Sequence, residues 1–401
     1  MKNLTAFLLA LPVLPAAAQE RPHEIITWEK LHLTTDFYTE GACYGDVNND
    51  KQVDVIAGPF AWLGPEFKDK IEIYKPEPID PKGYSKNFLS FTGDIDNDGW
   101  LDVLVLGFPG ADSRWYENPK GAEGHWPVHI AMPITDNESP TFTDITGDGK
   151  PEIVCSVEGV FGYAVPNAEK PTEPFNWHPI SPPGATGGRF THGLGVGDVN
   201  GDGRLDLLEK GRWWEQPASL DGDPEWASHR TEFSGGGGSQ MYAYDFDGDG
   251  DNDVLTSLAA HAYGLAWYEQ LEEDGKKTLK QRLIMGQDPA ENKYGLTFSQ
   301  MHGIDLADID GDGLKDIITG KRYWAHGGKD PGGSDPAVLY WFRTVRLDGG
   351  GVDFVPYQID NDSGVGTEVT AGDVNGDGFL DIIVGNKKGT FIHLQKRKKA
   401  D

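Results

Sequence analysis

Seven nine-residue stretches place oxygen-bearing side chains at alternate positions of a short loop. They are Asp46, Asn48, Asp50 and Asp54; Asp94, Asp96, Asp98 and Asp102; and Asp144, Thr146, Asp148 and Glu152. Then come Asp198, Asn200, Asp202 and Asp206; Asp245, Asp247, Asp249 and Asp253; Asp308, Asp310, Asp312 and Asp316; and Asp373, Asn375, Asp377 and Asp381. A hard cation such as Ca²⁺ takes six to eight oxygens at about 2.3–2.6 Å, and carboxylates at positions 1, 3, 5 and 9 of a curled loop supply that kind of shell. Glycines such as Gly311 and Gly313 stand where the backbone must turn sharply. The third loop departs most from the pattern, with Thr146 and Glu152. The first carries Lys51 where the others have Gly.

Apolar segments flank every loop, so each reads as a hairpin between two strands. The loops begin 48, 50, 54, 47, 63 and 65 residues apart, the period of a four-stranded propeller blade with insertions in the fifth and sixth repeats. Aromatic segments at Arg114 to Pro119, Arg212 to Pro217, Ala266 to Gln270 and Tyr340 to Phe342 read as third strands. Segments around Trp126, Trp177 and Trp226 read as outermost strands. The outer pattern occurs once more in Thr27 to Leu33, whereas the C-terminal repeat stops at its third strand, Gly389 to Gln395. The expected fold is therefore all-β: a seven-bladed β-propeller of four-stranded blades, with the N-terminal strand completing the last blade and closing the ring, which removes open edges. No long stretch keeps helical spacing free of Gly, Pro or Asp.

On these motifs the chain resembles the FG-GAP/VCBS-type calcium propellers, the repeat also seen in integrin α-chain heads, over residues 25–395. An EF-hand is a poorer match, because no Glu closes the loop at position 12 and strands replace the helices. The resemblance implies up to seven Ca²⁺ ions. Seven equivalent copies point to structural rivets, since a catalytic centre needs one distinctive place.

Composition narrows the partners. The formal net charge of −29 excludes a nucleic-acid binder, which needs a basic face. Much of that charge is local, as 24 of the 64 acidic residues are the loop ligands. Residues 1–18 read as a signal peptide: Lys2, an apolar run too short to span a bilayer, and Ala16-Ala17-Ala18 before cleavage. Domain bounds are thus 1–18 signal, 19–395 propeller and 396–401 a basic tail, with a secreted or periplasmic location, no transmembrane segment and a monomer expected. Cys43 and Cys155 fall at non-equivalent strand positions, which favours two buried thiols over a disulfide although export permits one.

Function is expected opposite the metal loops. There the approaches to the inner strands and the second-to-third connections gather His192, His302, His261, His326, Lys321, Arg322, Tyr323 and Arg212 in an otherwise acidic chain. Trp324 offers a face for stacking on a sugar ring. Outer-strand His129, His178 and His229 read as repeat consensus. Two functions follow. One is a calcium-stabilised module binding a carbohydrate or an extracellular protein. The other is an enzyme, similar in layout to sugar lyase and dehydratase propellers, performing β-elimination. In that case His302 or His192 is the base, Lys321, Arg322 or Arg212 stabilises charge, and Tyr323 or Tyr263 is the acid.

Overall fold

The structure, a computed structural model, describes residues 24–399; the expected signal peptide lies outside them. Apart from a 3₁₀ turn at Pro289–Glu291, the regular elements described are all strands. They form antiparallel four-stranded meanders, one per acidic loop. In the first, Cys43–Gly45, Asp54–Ala57, Phe60–Trp62 and Lys70–Glu72 pair in order. The sixth repeats the scheme with Ile304–Ala307, Asp316–Gly320, Leu339–Arg346 and Val352–Asp360. One long strand, Val128–Thr143, serves two repeats: its start pairs with Ala111–Tyr116 of the second and its end with Glu152–Val157 of the third.

The acidic nine-residue pattern has a folding role visible in every repeat. The acid at position 9 opens the second strand and is fully buried: Asp54, Asp102, Glu152, Asp206, Asp253, Asp316 and Asp381. One of its oxygens accepts the backbone N–H of position 2, as from Ile95 to Asp102 (2.9 Å) and from Ile309 to Asp316 (2.9 Å). In six repeats the other oxygen accepts an N–H at or beyond the third strand, for example Thr344 to Asp316 (2.9 Å). Glu152 differs: its second oxygen takes the Thr146 hydroxyl (3.3 Å). Positions 4 and 6 are left-handed throughout, which is why they are Gly or Asn except at Lys51 (φ 72°).

The last meander holds Thr370–Gly372, Asp381–Asn386 and Gly389–Lys399, and its outer strand is Glu24–Thr34 in the register Trp28 to Gln395. The expected basic tail is corrected here. Lys396, Arg397, Lys398 and Lys399 continue the strand and pair with Thr27, Ile26, Ile25 and Glu24, because the N-terminal strand is long enough to cover them.

Cores form between neighbouring meanders. One joins Ile318, Leu339 and Trp341 to Val384 and Phe391, and another joins Ala42 and Val55 to Ile383 and Ile392. Outer-strand histidines serve this packing: His129 tilts against Trp115 (4.6 Å) and bonds Glu117 (2.8 Å), and His229 stacks on Trp213 (4.0 Å) and bonds Glu215 (2.8 Å). Cys43 and Cys155 are separate, buried thiols.

Candidate functional site

Each inner strand has an acidic loop at its C-terminal end and an approach segment at its N-terminal end. The two ends are roughly 15 Å apart at about 3.3 Å per residue. Six residues before the first loop Asp stand, in successive repeats, Glu40, Phe88, Glu138, His192, Ser239, His302 and Thr367. This register puts one side chain per repeat at the same end of the inner strands. Glu138 is placed beside His192 by its N–H bond to Thr191 O (2.9 Å). His302 is placed by Gln300, a left-handed residue (φ 61°) whose N–H reaches Ala262 O (2.7 Å) and whose carbonyl accepts the Arg322 N–H (2.8 Å). The segments carrying His261 and Arg322 are thereby tied to the one carrying His302.

The side chains converge. Glu138 Oε2 lies 3.1 Å from His302 Nε2 and 3.3 Å from His192 Nε2, and His192 Nε2 lies 3.1 Å from His261 Nε2. His261 packs on His326 with ring centroids 4.4 Å apart; Asp330 Oδ2 is 2.9 Å from His326 Nδ1 and 3.4 Å from His261 Nδ1. Arg322 bonds Glu40 Oε2 through Nε (3.0 Å) and Nη2, and its Nη1 is 3.9 Å from Glu138 Oε2. Lys321 is buried alongside, its Nζ directed at Gly333 O (3.4 Å).

Burial and the nearby Arg322 charge push His302 down to about 3. Burial, His302 and Arg322 together push His261 down to about 2. Burial works to raise the Glu138 carboxyl, but hydrogen bonds from His192 and His302 outweigh it and hold the group far below the usual carboxylate range. Burial also lowers Lys321, against the pull of Asp335 and Asp330. The His302 and His261 imidazoles are therefore neutral at neutral pH, beside the ionised Glu138 carboxylate.

Two expected members lie elsewhere. Arg212 faces Glu209 (Nε to Oε1 3.3 Å) and lies over the Trp214 ring (5.5 Å), because its own third strand carries it outward. Tyr323 stacks with Trp324 under Lys388 (4.5 Å) and lines a separate cleft of about 420 Å³ with Lys30, Lys387 and Asp362. The cleft and the histidine cluster are joined through Tyr84, which carries Lys387 over its ring (4.4 Å) and Arg322 at 5.9 Å, and whose hydroxyl bonds Ala325 O (2.8 Å). Glu138 and Glu40 were not among the expected residues. The signal for them was their shared register with His192 and His302.

At the opposite end the loop residues fit Ca²⁺ in donor type. In the second and fifth loops, carboxylate oxygens of positions 1, 3 and 9 lie within 4.8 Å of one another. The third loop does the same with Asp144, Asp148 and Glu152. Burial pushes Asp102 up to about 7 and Asp316 up to about 8, and neighbouring loop carboxylates add to it despite two backbone donors each. Crowded buried acids of this kind are relieved by a divalent ion.

The FG-GAP-like repeat family matches residues 94–155, and the FG-GAP repeat family matches residues 365–393. The chain is an FG-GAP-repeat β-propeller. No curated protein matches it. Among solved structures it is similar to one described as the specific recognition of non-reducing terminal N-acetylglucosamine by an Agrocybe aegerita lectin. That match has 16% identity and a TM-score of 0.45, and covers 78% of this chain and 85% of that one. A chain from a BBS1N–ARL6DN complex soaked with lead is similar at 11% identity and a TM-score of 0.49, covering 93% of this chain and 97% of that one.

Proposed function

We propose that this chain is an exported ring of seven blades, riveted by calcium at one face, that binds an acidic carbohydrate at the other. Support for the ring comes from the order of contacts between inner strands and from the N-terminal strand seated on the last meander. Thr370, in the last inner strand, bonds Ala42 O beside the first (2.8 Å). Support for calcium comes from the donor sets described above.

The observation that carries the ligand class is the cleft beside the histidine cluster. In a chain of net charge −29, Lys30, Lys387 and Lys388 line it beside the aromatic faces of Tyr323 and Trp324. Lys30 and Lys388 are paired with Asp360 (2.7 Å) and Asp362 (2.8 Å), which leaves Lys387, set against the Trp324 and Ala325 carbonyls (3.4 Å), as the cation for a ligand carboxylate. Aromatic faces take the apolar side of a sugar ring, lysines take a carboxylate, and a small concave site suits a glycan better than a folded protein. The test is calorimetric titration with uronate-containing and neutral oligosaccharides in calcium. Uronates are expected to bind, and Trp324→Ala to weaken binding by about tenfold or more. Equal binding of neutral sugars, or none across the panel, would overturn the ligand class.

A second reading, β-elimination from a uronate, is favoured by Arg322 and Lys321 standing beside the histidines. It moves the base away from His302, one of the two expected, and leaves His192 and Lys321 as candidates. His302 and His261, held near 3 and 2, are weak proton acceptors at neutral pH, whereas Lys321 is shifted toward the range a base needs. Ultraviolet absorbance of an unsaturated product reports this chemistry directly. Its absence over a broad uronate panel rules the reading out while leaving binding intact.

A further inference from the structure

We infer that Glu138, His192, His261 and His302 form a binding site for one divalent transition metal, with Zn²⁺ as the best-fitting ion, at the mouth opposite the calcium loops. This goes beyond the carbohydrate reading and stands without it, since a metal can occupy the centre whether or not a sugar binds nearby.

Four donor atoms from separate repeats come together: one nitrogen from each of the three imidazoles and a Glu138 oxygen, all within 4.8 Å, with His192 Nε2, His302 Nε2 and His261 Nε2 making the short approaches. Zinc holds nitrogen at about 2.0–2.1 Å and carboxylate oxygen at about 2.0–2.2 Å, so neighbouring ligands on a tetrahedron lie roughly 3.4 Å apart. The three closest separations here are 3.1, 3.1 and 3.3 Å. A hydrogen-bond network explains the same atoms less well. His192 Nε2 faces both a carboxylate oxygen and the His261 nitrogen, so a single proton must be shared between them. A central cation satisfies all four lone pairs together.

The surroundings suit a ligand shell. His261 Nδ1 is buried without a hydrogen-bond partner, and the nearest carboxylate oxygen, Asp330 Oδ2 at 3.4 Å, is bonded to His326 Nδ1 (2.9 Å), so it adds negative charge behind the ring. Glu40 balances Arg322, so the guanidinium near Glu138 is not an uncompensated charge beside an incoming ion. The donor set also separates this centre from the loops. Ca²⁺ takes oxygen ligands, whereas three imidazoles with one carboxylate select zinc and its neighbours. Access is from the mouth: the His261 side chain is 25% exposed, and that of His302, at the base, is fully buried.

The test uses the full chain with its calcium sites saturated. Zn²⁺ and Co²⁺ are titrated in a large excess of Ca²⁺, and bound metal is counted by elemental analysis. One Zn²⁺ per chain is expected, and Co²⁺ in its place should give the intense visible bands of a tetrahedral nitrogen-rich site. His192→Ala and His261→Ala should each weaken binding by at least about 100-fold. His129→Ala, on an outer strand, should leave it unchanged. Because His302→Ala threatens folding, the partly exposed His261 carries the decisive variant, with the melting curve in calcium as the check on structure. No bound Zn²⁺ or Co²⁺ in the unmodified chain overturns the site, as does binding that survives both His192→Ala and His261→Ala. Loss in His326→Ala with none in His192→Ala would move the metal to the neighbouring His261, His326 and Asp330 group and likewise overturn the assignment. Failure of sugar binding with metal retained would strike only the carbohydrate reading.

Discussion

Arg322 and Glu40 are a charged pair whose side chains are 2% and 1% exposed. Such a pair is a poor source of net stability, but removing one member leaves the other buried and uncompensated. Arg322→Met is therefore expected to cost about 3–5 kcal/mol in urea unfolding, and the double change Arg322→Met with Glu40→Leu to recover most of it. Single and double variants of equal stability would show that the two groups are not coupled. A smaller effect is expected at Lys51, which alone among the residues at position 6 adopts a left-handed conformation with a side chain. Lys51→Gly should stabilise by about 0.5–1 kcal/mol, and Gly313→Ala should cost about 1–2 kcal/mol although its Cβ would meet open space. A reversed sign in either would mean that contacts outweigh backbone conformation there.

At the scale of elements, the N-terminal strand decides how the last repeat is covered. Its Ile26 and Trp28 pack on one inter-repeat core and its Leu31 and Leu33 on the next. A variant lacking Glu24–Thr34 would expose both cores and a long strand edge, so aggregation is expected in size-exclusion chromatography; an intact monomer with an unchanged melt would contradict this role. The same strand is clamped to the sixth repeat by Lys30 and Asp360 (2.7 Å). Burial raises the Asp360 carboxyl, but hydrogen bonds from Lys30 and Ser363 outweigh it and bring the group down to about 2. Because a free Asp titrates near ~3.9, the fold prefers the ionised form. Its contribution is complete above ~3.9 and is lost as pH falls through about 2. The stability gap between the natural chain and Lys30→Met should therefore narrow across that window; a gap independent of pH would place Asp360 outside the linkage.

For the whole molecule, calcium is expected to act through mass action on the folded state alone. A site filled at about 100 times its Kd contributes about 2.7 kcal/mol, so chelation should lower the melting temperature markedly, and restored Ca²⁺ should recover it. An unchanged melt in EDTA would remove calcium from the account of stability. Much of this architecture was legible beforehand, because its causes are local. The carboxylate set of a loop is fixed by residues within nine positions of one another, and hairpins by the turn between them, so Asp308 to Asp316 announces its acidic loop and its strand boundaries together. The candidate site was legible only in part. His192 and His302 stood out as histidines, but Glu40 and Glu138 looked like unrelated acids until the common register of the approach segments was seen. Arg212 was expected to stabilise charge alongside Arg322 and Lys321 and Tyr323 to serve as the acid, yet the first is carried outward by its strand and the second turns into the adjoining cleft. The amino-acid sequence alone determined the repeat, the loops and the pairing partner of the N-terminal strand, since each follows from periodic patterning. Only the tertiary structure decided that Glu138 meets His302 across a sequence separation of 164, with His192 and His261 between them. That meeting depends on how the repeats are arranged around a common centre, which no single repeat encodes.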